Sequence, residues 1–331
     1  MRWREGVPPA TGILLGAAYG LFVRMLLHEN GAPRSSALQY AFAGVSLSFL
    51  FLVPLGLEIL AAALYPPGLR YPWLYWLASP WISASLLLVA VLVLAWEGVI
   101  CIVMAAPIVM AMATLGGVLV GIAVTARGRR ATRPLLTCLV LPLALGPAEQ
   151  YVPTPSEIRT VTTLVDIEAD PGTVWKNVVR VRLIEPSELH PGFFERIGIP
   201  RPLEATLSDE AIGGHREARF EGGILFHERV IEWQPERVLG FTIAVDPGSI
   251  SPTVLDPHVL VGGPNFDVLY GRFILEPRGA TTRLHLVSKH RVSTHFNFYT
   301  RLWTEAVMRD IQSQICSVIA RRASAQAHPR G

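Results

Sequence analysis

Residues 295–323 read HFNFYTRLWTEAVMRDIQSQICSVIARRA, and within them Tyr299, Trp303, Val307, Ile311, Ile315 and Val318/Ile319 recur at helical spacing. Arg301, Glu305, Arg309, Asp310, Arg321 and Arg322 fall mainly on other faces. The pattern predicts one amphipathic helix about 40 Å long, ample to lie across a sheet. Working back from it, the period changes to two. Apolar residues alternate at Val161, Val165 and Ile167, at Leu239, Phe241, Ile243 and Val245, and at Leu284 and Leu286, as half-buried strands require. Charged residues take the other phase, as in His215, Glu217, Arg219 and Glu221 against Ala218 and Phe220. Turn signals at Gly213-Gly214, Gly222-Gly223, Gln234-Pro235-Glu236 and Glu276-Pro277-Arg278-Gly279 separate the strands. Asp170 is placed as N-cap, with Pro171 at the first helical position, of a short helix after the first strand. The expected order is strand, short helices, six strands, long helix: an α+β antiparallel meander.

The first half of the chain has a different character. Apolar runs cover Thr11 to Leu27, Ala37 to Leu64, Trp81 to Ala95, Gly98 to Ala126 and Pro134 to Ala148, interrupted by few charges such as Arg24, Glu58 and Glu97. A spanning helix needs about 20 mostly apolar residues. The second and fourth runs meet that length, whereas the others need interfacial residues to complete a crossing. These are read as transmembrane helices, five spans with four as the alternative. Arg127, Arg129, Arg130 and Arg133 cluster between the fourth and fifth runs and mark a cytoplasmic loop, on the same side as Arg2 and Arg4. A fifth crossing then places the C-terminal domain on the outer side of an inner (cell) membrane. Glu58 and Glu97 read either as a relay, with Arg24 or His28 as counter-charge, or as helix-end carboxylates at headgroup level.

Composition agrees with a membrane protein: 51% of the 331 residues are hydrophobic and 17% charged. Residues 1–133 hold nine Arg and four acids, 9 − 4 = +5, and residues 134–331 hold 20 Lys+Arg and 22 Asp+Glu, 20 − 22 = −2. The net charge of +3 is therefore a membrane-flank effect, which argues against a nucleic-acid partner. Cys101, Cys138 and Cys316 lack paired spacing and suggest neither a disulfide framework nor a zinc site. The domain boundaries expected are 1–149 for the membrane region, 150–157 for a Pro-bearing linker, 158–323 for the α+β domain and 324–331 for a disordered tail.

Three segments carry a family resemblance: Val165-Asp-Ile-Glu-Ala-Asp-Pro-Gly-Thr-Val-Trp175, Arg229-Val-Ile-Glu-Trp-Gln-Pro-Glu-Arg-Val-Leu-Gly-Phe241 and Gly271-Arg-Phe-Ile-Leu-Glu-Pro-Arg-Gly-Ala-Thr-Thr-Arg-Leu284. Over residues 158–323 the chain resembles the START-like, polyketide cyclase/dehydrase (SRPBCC) superfamily. The resemblance implies a helix-grip fold, a curved antiparallel sheet wrapped on a long C-terminal helix around an apolar cavity, and says less about activity. The Pro- and Gly-rich segment Asp246 to Pro264 is long enough for a lid. Expected inward residues are Val161, Thr163, Val165, Phe220, Leu239, Phe241, Ile243, Leu269, Phe273, Leu284 and Leu286. Such a lining favours an apolar or amphipathic ligand.

The candidate ligand contacts are Phe226, Glu228, Tyr270, His290, Tyr299 and Trp303. On the fourth strand His227 and Glu228 point oppositely, and alternation leaves open which is inside. Histidines are numerous here (His190, His215, His227, His258, His285, His290, His295), but no HxxxH or HExxH spacing occurs, so no metal is expected. Neither a nucleophile motif nor a GxGxxG or Walker sequence is present, and no cofactor is expected. Three readings follow: a membrane-anchored binding module for a hydrophobic small molecule or lipid, with the bilayer itself as the other partner; a cyclase/dehydrase-like enzyme using Glu228, His290 or Tyr299; and a structural or regulatory membrane protein without a ligand. A buried carboxylate beside an imidazole would favour the second.

Overall fold

The computed structural model describes residues 8, 10–27, 47–66, 68–128, 131–149, 151–189, 192–251, 254–255 and 259–328. His28, His190, His258, Arg2, Arg4, Arg34, Arg129, Arg130, the start of the second apolar run and parts of the 246–264 segment lie outside them. Two compact units are present, Met1–Pro153 and Thr154–Gly331.

The N-terminal unit contains α1 (Ala10–Leu27), a π-helical turn Ser48–Leu52 leading into α2 (Val53–Ala63), α3 (Pro72–Val93) and α4 (Val99–Arg127). Glycines set the spacing of α1 against its neighbours. A Cβ at Gly12 would stand 2.5 Å from the Ala61 carbonyl oxygen, and one at Gly16 2.7 Å from that of Leu57. This small-residue stripe lets helix backbones approach closely, as apolar bundles require. Helix α3 begins nine residues ahead of the run expected from Trp81, because Pro72 starts it and Trp73, Tyr75 and Trp76 continue it. Arg24 and Glu97 are the counter-charges: Arg24 Nη2 lies 2.5 Å from Glu97 Oε1 and also donates to the Trp96 carbonyl at 3.2 Å. Glu58 is buried on α2, its Cβ against Gly116 of α4.

The fifth apolar run does not form a crossing-length helix. It divides into α5 (Thr132–Leu135), a 3-10 turn Leu136–Leu139 and α6 (Leu141–Glu149). The nine residues of α6 rise only about 14 Å against a hydrocarbon core of about 30 Å. Glu149 at its end accepts from the backbone N–H groups of Leu47 (2.9 Å) and Ser48 (2.6 Å), capping the π-helical turn. The outer-side placement of the C-terminal domain rests on a fifth crossing, and the four-span alternative does without one.

The C-terminal unit is α+β. Strands β1 (Ser156–Ile167), β2 (Pro202–Leu207), β3 (His215–Phe220), β4 (Leu225–Gln234), β5 (Val238–Val245), β6 (Phe266–Arg278) and β7 (Thr281–Ser293) form one antiparallel sheet in the order β1-β7-β6-β5-β4-β3-β2. Helices α7 (Pro171–Val179) and α8 (Phe193–Arg196) lie in the connection between β1 and β2, and α9 (Asn297–Ala327) closes the chain. The sheet curls on α9 with the help of register shifts at Val230/Glu232 and Val268/Tyr270, where an extra residue bends the strand. Asp170 caps α7 as expected, accepting from Thr173 N at 3.1 Å, with Pro171 next in line.

Helix α9 is 31 residues, about 46 Å, and packs on β1, β7 and α7. Its buried stripe is Met308, Gln312, Cys316, Val318, Ile319 and Ala323, one position round from the stripe through Trp303, Val307 and Ile311. Trp303 and Val307 are only half-buried. The reason is Gln312, whose amide is bonded on every side: Nε2 donates to Ser288 Oγ (2.8 Å) and the Val161 carbonyl (3.2 Å), and Oε1 accepts from Thr163 Oγ1 (2.8 Å). This fully partnered group pins the helix rotation against β1 and β7. The helix also continues through Ala327, into the expected tail, since Ala323-Ser-Ala-Gln-Ala favours helix and Gln326 bonds to Asn177.

Candidate functional site

The hairpin β3–β4 turns at Glu221–Gly223, and its register pairs Ala218 with Phe226, Arg216 with Glu228, and Glu217 with His227. Ala218 and Phe220 face the core, so the period of two carries Arg216 and Glu228 inward and His215, Glu217 and His227 outward. Arg216 and Glu228 are each buried, 4% and 3% exposed, and form an ion pair through Nη1 and Oε2. The guanidinium carbon lies 5.0 Å from the Phe241 ring centroid, a cation–π contact. Arg216 Nε has no hydrogen-bond partner among the described residues. Burial pushes the Glu228 carboxyl above the ordinary range, against the opposing pull of Arg216.

Apolar groups surround the pair. Phe226 packs on Phe220 at 4.8 Å between centroids, and Ile243 lies across from Glu228 on β5. The described part of the 246–264 segment folds into the same core: Ile250 and Leu255 are buried in it, and Val254, Val259, Leu260 and Val261 pack against it. Val254 covers Gly222, whose φ of +71° and closeness (a Cβ would be 2.2 Å away) admit only glycine.

His290 stands in the same row of the sheet, on β7 opposite Val268, three strand spacings or about 14 Å along from β4. It is fully buried, 5.7 Å from the Phe266 ring, with Nε2 3.3 Å from Thr304 Oγ1. Thr304 Oγ1 also lies 3.3 Å from the Arg301 carbonyl, and His290 Nδ1 has no hydrogen-bond partner among the described residues. Burial holds its pKa below the ordinary value, with Arg159 adding to that and Glu305 opposing it. A depressed histidine contributes stability that is present above the unfolded value of about 6.5 and is lost as the pH falls through the folded one. Unfolding free energy should therefore decline on acidification from pH 7 to 5, and His290→Gln should flatten that decline. An unchanged slope in the variant would assign the effect to other groups.

The remaining candidates separate. Tyr299 and Trp303 sit near the start of α9, half-buried and edge to face at 6.4 Å. Tyr270 lies on the face away from α9: its hydroxyl donates to Glu232 Oε1 at 2.6 Å, Lys289 lies over its ring, and burial together with that hydrogen bond pushes its pKa up to about 12. The bulge at Val268/Tyr270 decides this, since it turns Val268 rather than Leu269 into the core. Glu228 is beside a guanidinium, not an imidazole, so the acid–base pair looked for in the enzymatic reading is not formed there. Cys316 is buried and its thiol is pushed up to about 12, which leaves it unreactive. The sequence reading passed over Arg216, although hairpin register about Gly222 places it opposite Glu228.

No protein-family model matches the chain, and no curated protein matches it. Solved structures similar to its C-terminal half include an uncharacterised protein from Mesorhizobium loti (14% identity, 50% of this chain and 96% of that one, TM-score 0.31). An aromatase/cyclase from a Streptomyces species shares 14% identity over 53% of this chain and 99% of its own, with a TM-score of 0.33. A norcoclaurine synthase from Thalictrum shares 9% identity over 52% and 98%, with a TM-score of 0.32.

Proposed function

We propose that this chain is a membrane-anchored binding module whose C-terminal unit takes a hydrophobic or amphipathic small molecule. The ligand's apolar part lies against Phe220, Phe226, Phe241 and Ile243, and its polar end meets Arg216 and Glu228. The observation that carries this reading is the buried ion pair with an unpartnered Arg216 Nε inside an apolar core. Exchanging such a pair for apolar side chains of the same volume is often neutral or stabilising, so stability is a weak reason for having it. A mostly apolar interior with one or two placed polar groups is the usual makeup of a small-molecule site.

Anchoring rests on α3 and α4, both long and apolar enough to cross a membrane. Only 33% and 28% of their most apolar windows are buried, unlike the core helices of a water-soluble protein. Trp73, Leu77, Trp81, Val89 and Val93 of α3 and Ile122 of α4 face outward. On the four-span count, the basic segment after α4 and the C-terminal unit would both be cytoplasmic. A cytoplasm-dependent reporter fused after Gly331 should be active, and silence would restore the fifth span.

The ligand test compares the purified full chain with Leu286→Trp, which overfills the core at a buried position. Organic extraction and mass spectrometry should find an amphipathic compound enriched in the native protein and missing from the variant. Identical extracts from two folded proteins would defeat the binding reading.

A further inference from the structure

The outward side of the same hairpin carries His215, Glu217 and His227. Glu217 stands directly opposite His227, and His215 is two residues along the same face of β3. One ligand atom from each lies within 4.8 Å of the other two. The imidazole rings are stacked, 5.7 Å apart and inclined by 27°, and His215 Nε2 is 3.9 Å from Glu217 Oε1. The other carboxylate oxygen, Oε2, faces Arg219 Nη2 at 3.6 Å, which leaves Oε1 directed at the histidines.

We propose that these three side chains form a zinc(II) site on the outer face of the sheet. Two imidazole nitrogens and one carboxylate oxygen are the donor set that borderline divalent metals such as zinc prefer, and three protein ligands leave the fourth tetrahedral position to water. Zinc–ligand bonds of about 2.0–2.2 Å put neighbouring donors about 3.3–3.6 Å apart. The present separations, none above 4.8 Å, exceed this by at most about 1.5 Å, a closure that side-chain rotation supplies, because both imidazoles are exposed and only the strand positions are rigid. Arg219 holds Glu217 from its far oxygen, as outer partners of metal ligands do. The charges that oppose a cation are Arg219 and Arg229, the latter paired with His215 across the hairpin, and they set the affinity at a moderate level. The site is separate from the proposed ligand pocket, since its residues alternate with Arg216 and Glu228 on the opposite face. Bound zinc would staple β3 to β4 from outside.

The test is titration of the chelator-treated full chain with zinc chloride, followed by calorimetry and, in parallel, with cobalt(II) followed by visible absorption. We expect saturable zinc binding in the micromolar range, tetrahedral cobalt bands, and a rise in unfolding temperature with zinc. His227→Ala and His215→Ala should each weaken binding at least about tenfold and abolish the cobalt bands, and Glu217→Gln should weaken it less. Equal affinity in native protein and the His215→Ala/His227→Ala double variant, or no saturable binding below about 100 μM, overturns the proposal. So does zinc binding that leaves the cobalt spectrum octahedral in every variant, since that is the mark of scattered surface carboxylates.

Discussion

Glu228→Ala should lower the stability of the C-terminal unit by about 3–5 kcal/mol, because it leaves the Arg216 guanidinium buried and uncompensated. Chemical denaturation of residues 154–331, followed by tryptophan fluorescence, measures it. The informative companion is Arg216→Met/Glu228→Leu, which replaces both charges with apolar groups of similar volume. This double variant should recover most or all of the loss, since exchanging a buried pair for apolar side chains is often neutral or stabilising. It should nonetheless lose ligand binding if the pair recognises a polar head. A double variant as unstable as Glu228→Ala would make the pair a structural necessity and remove the argument for its functional role. Retained binding in a stable double variant would move the ligand's polar end elsewhere.

Gln312→Leu should cost about 3 kcal/mol in the same assay. The substitution keeps volume but strands three groups, the Val161 carbonyl and the Thr163 and Ser288 hydroxyls, in a dry interface, and each unpaired buried group costs about 1–3 kcal/mol. The carbonyl and the Ser288 oxygen are acceptors and fall at the low end. Adding Thr163→Val and Ser288→Ala to Gln312→Leu should return part of the loss, a coupling expected only of residues in one network. A cost under about 1 kcal/mol would show that apolar packing, not this amide, sets the rotation of α9.

Local pattern determined a good deal of this protein by itself. The alternation in β1, β5 and β7, the turn glycines, the Asp170-Pro171 cap and the long terminal amphipath follow from backbone geometry and burial within a few residues of each position, and they suffice for an α+β meander ending in a helix. Inward residues such as Val161, Leu239, Phe273 and Leu284 follow from the same period. What needed tertiary structure were the points where the period breaks or a partner lies far along the chain. The bulge at Val268/Tyr270 turned Tyr270 outward, an event set by pairing with β7 and by sheet curvature. The rotation of α9 was decided by groups on β1, about 150 residues away, and on β7 that match the Gln312 amide. Alternation leaves the side of Glu228 open and does not single out Arg216, and only the closed hairpin joined to the rest of the sheet neutralises each with the other inside an apolar shell. The fifth apolar run shows the converse limit. Its hydropathy was legible, but its division into short helices answers to the partners that its backbone and Glu149 find, which no local window contains.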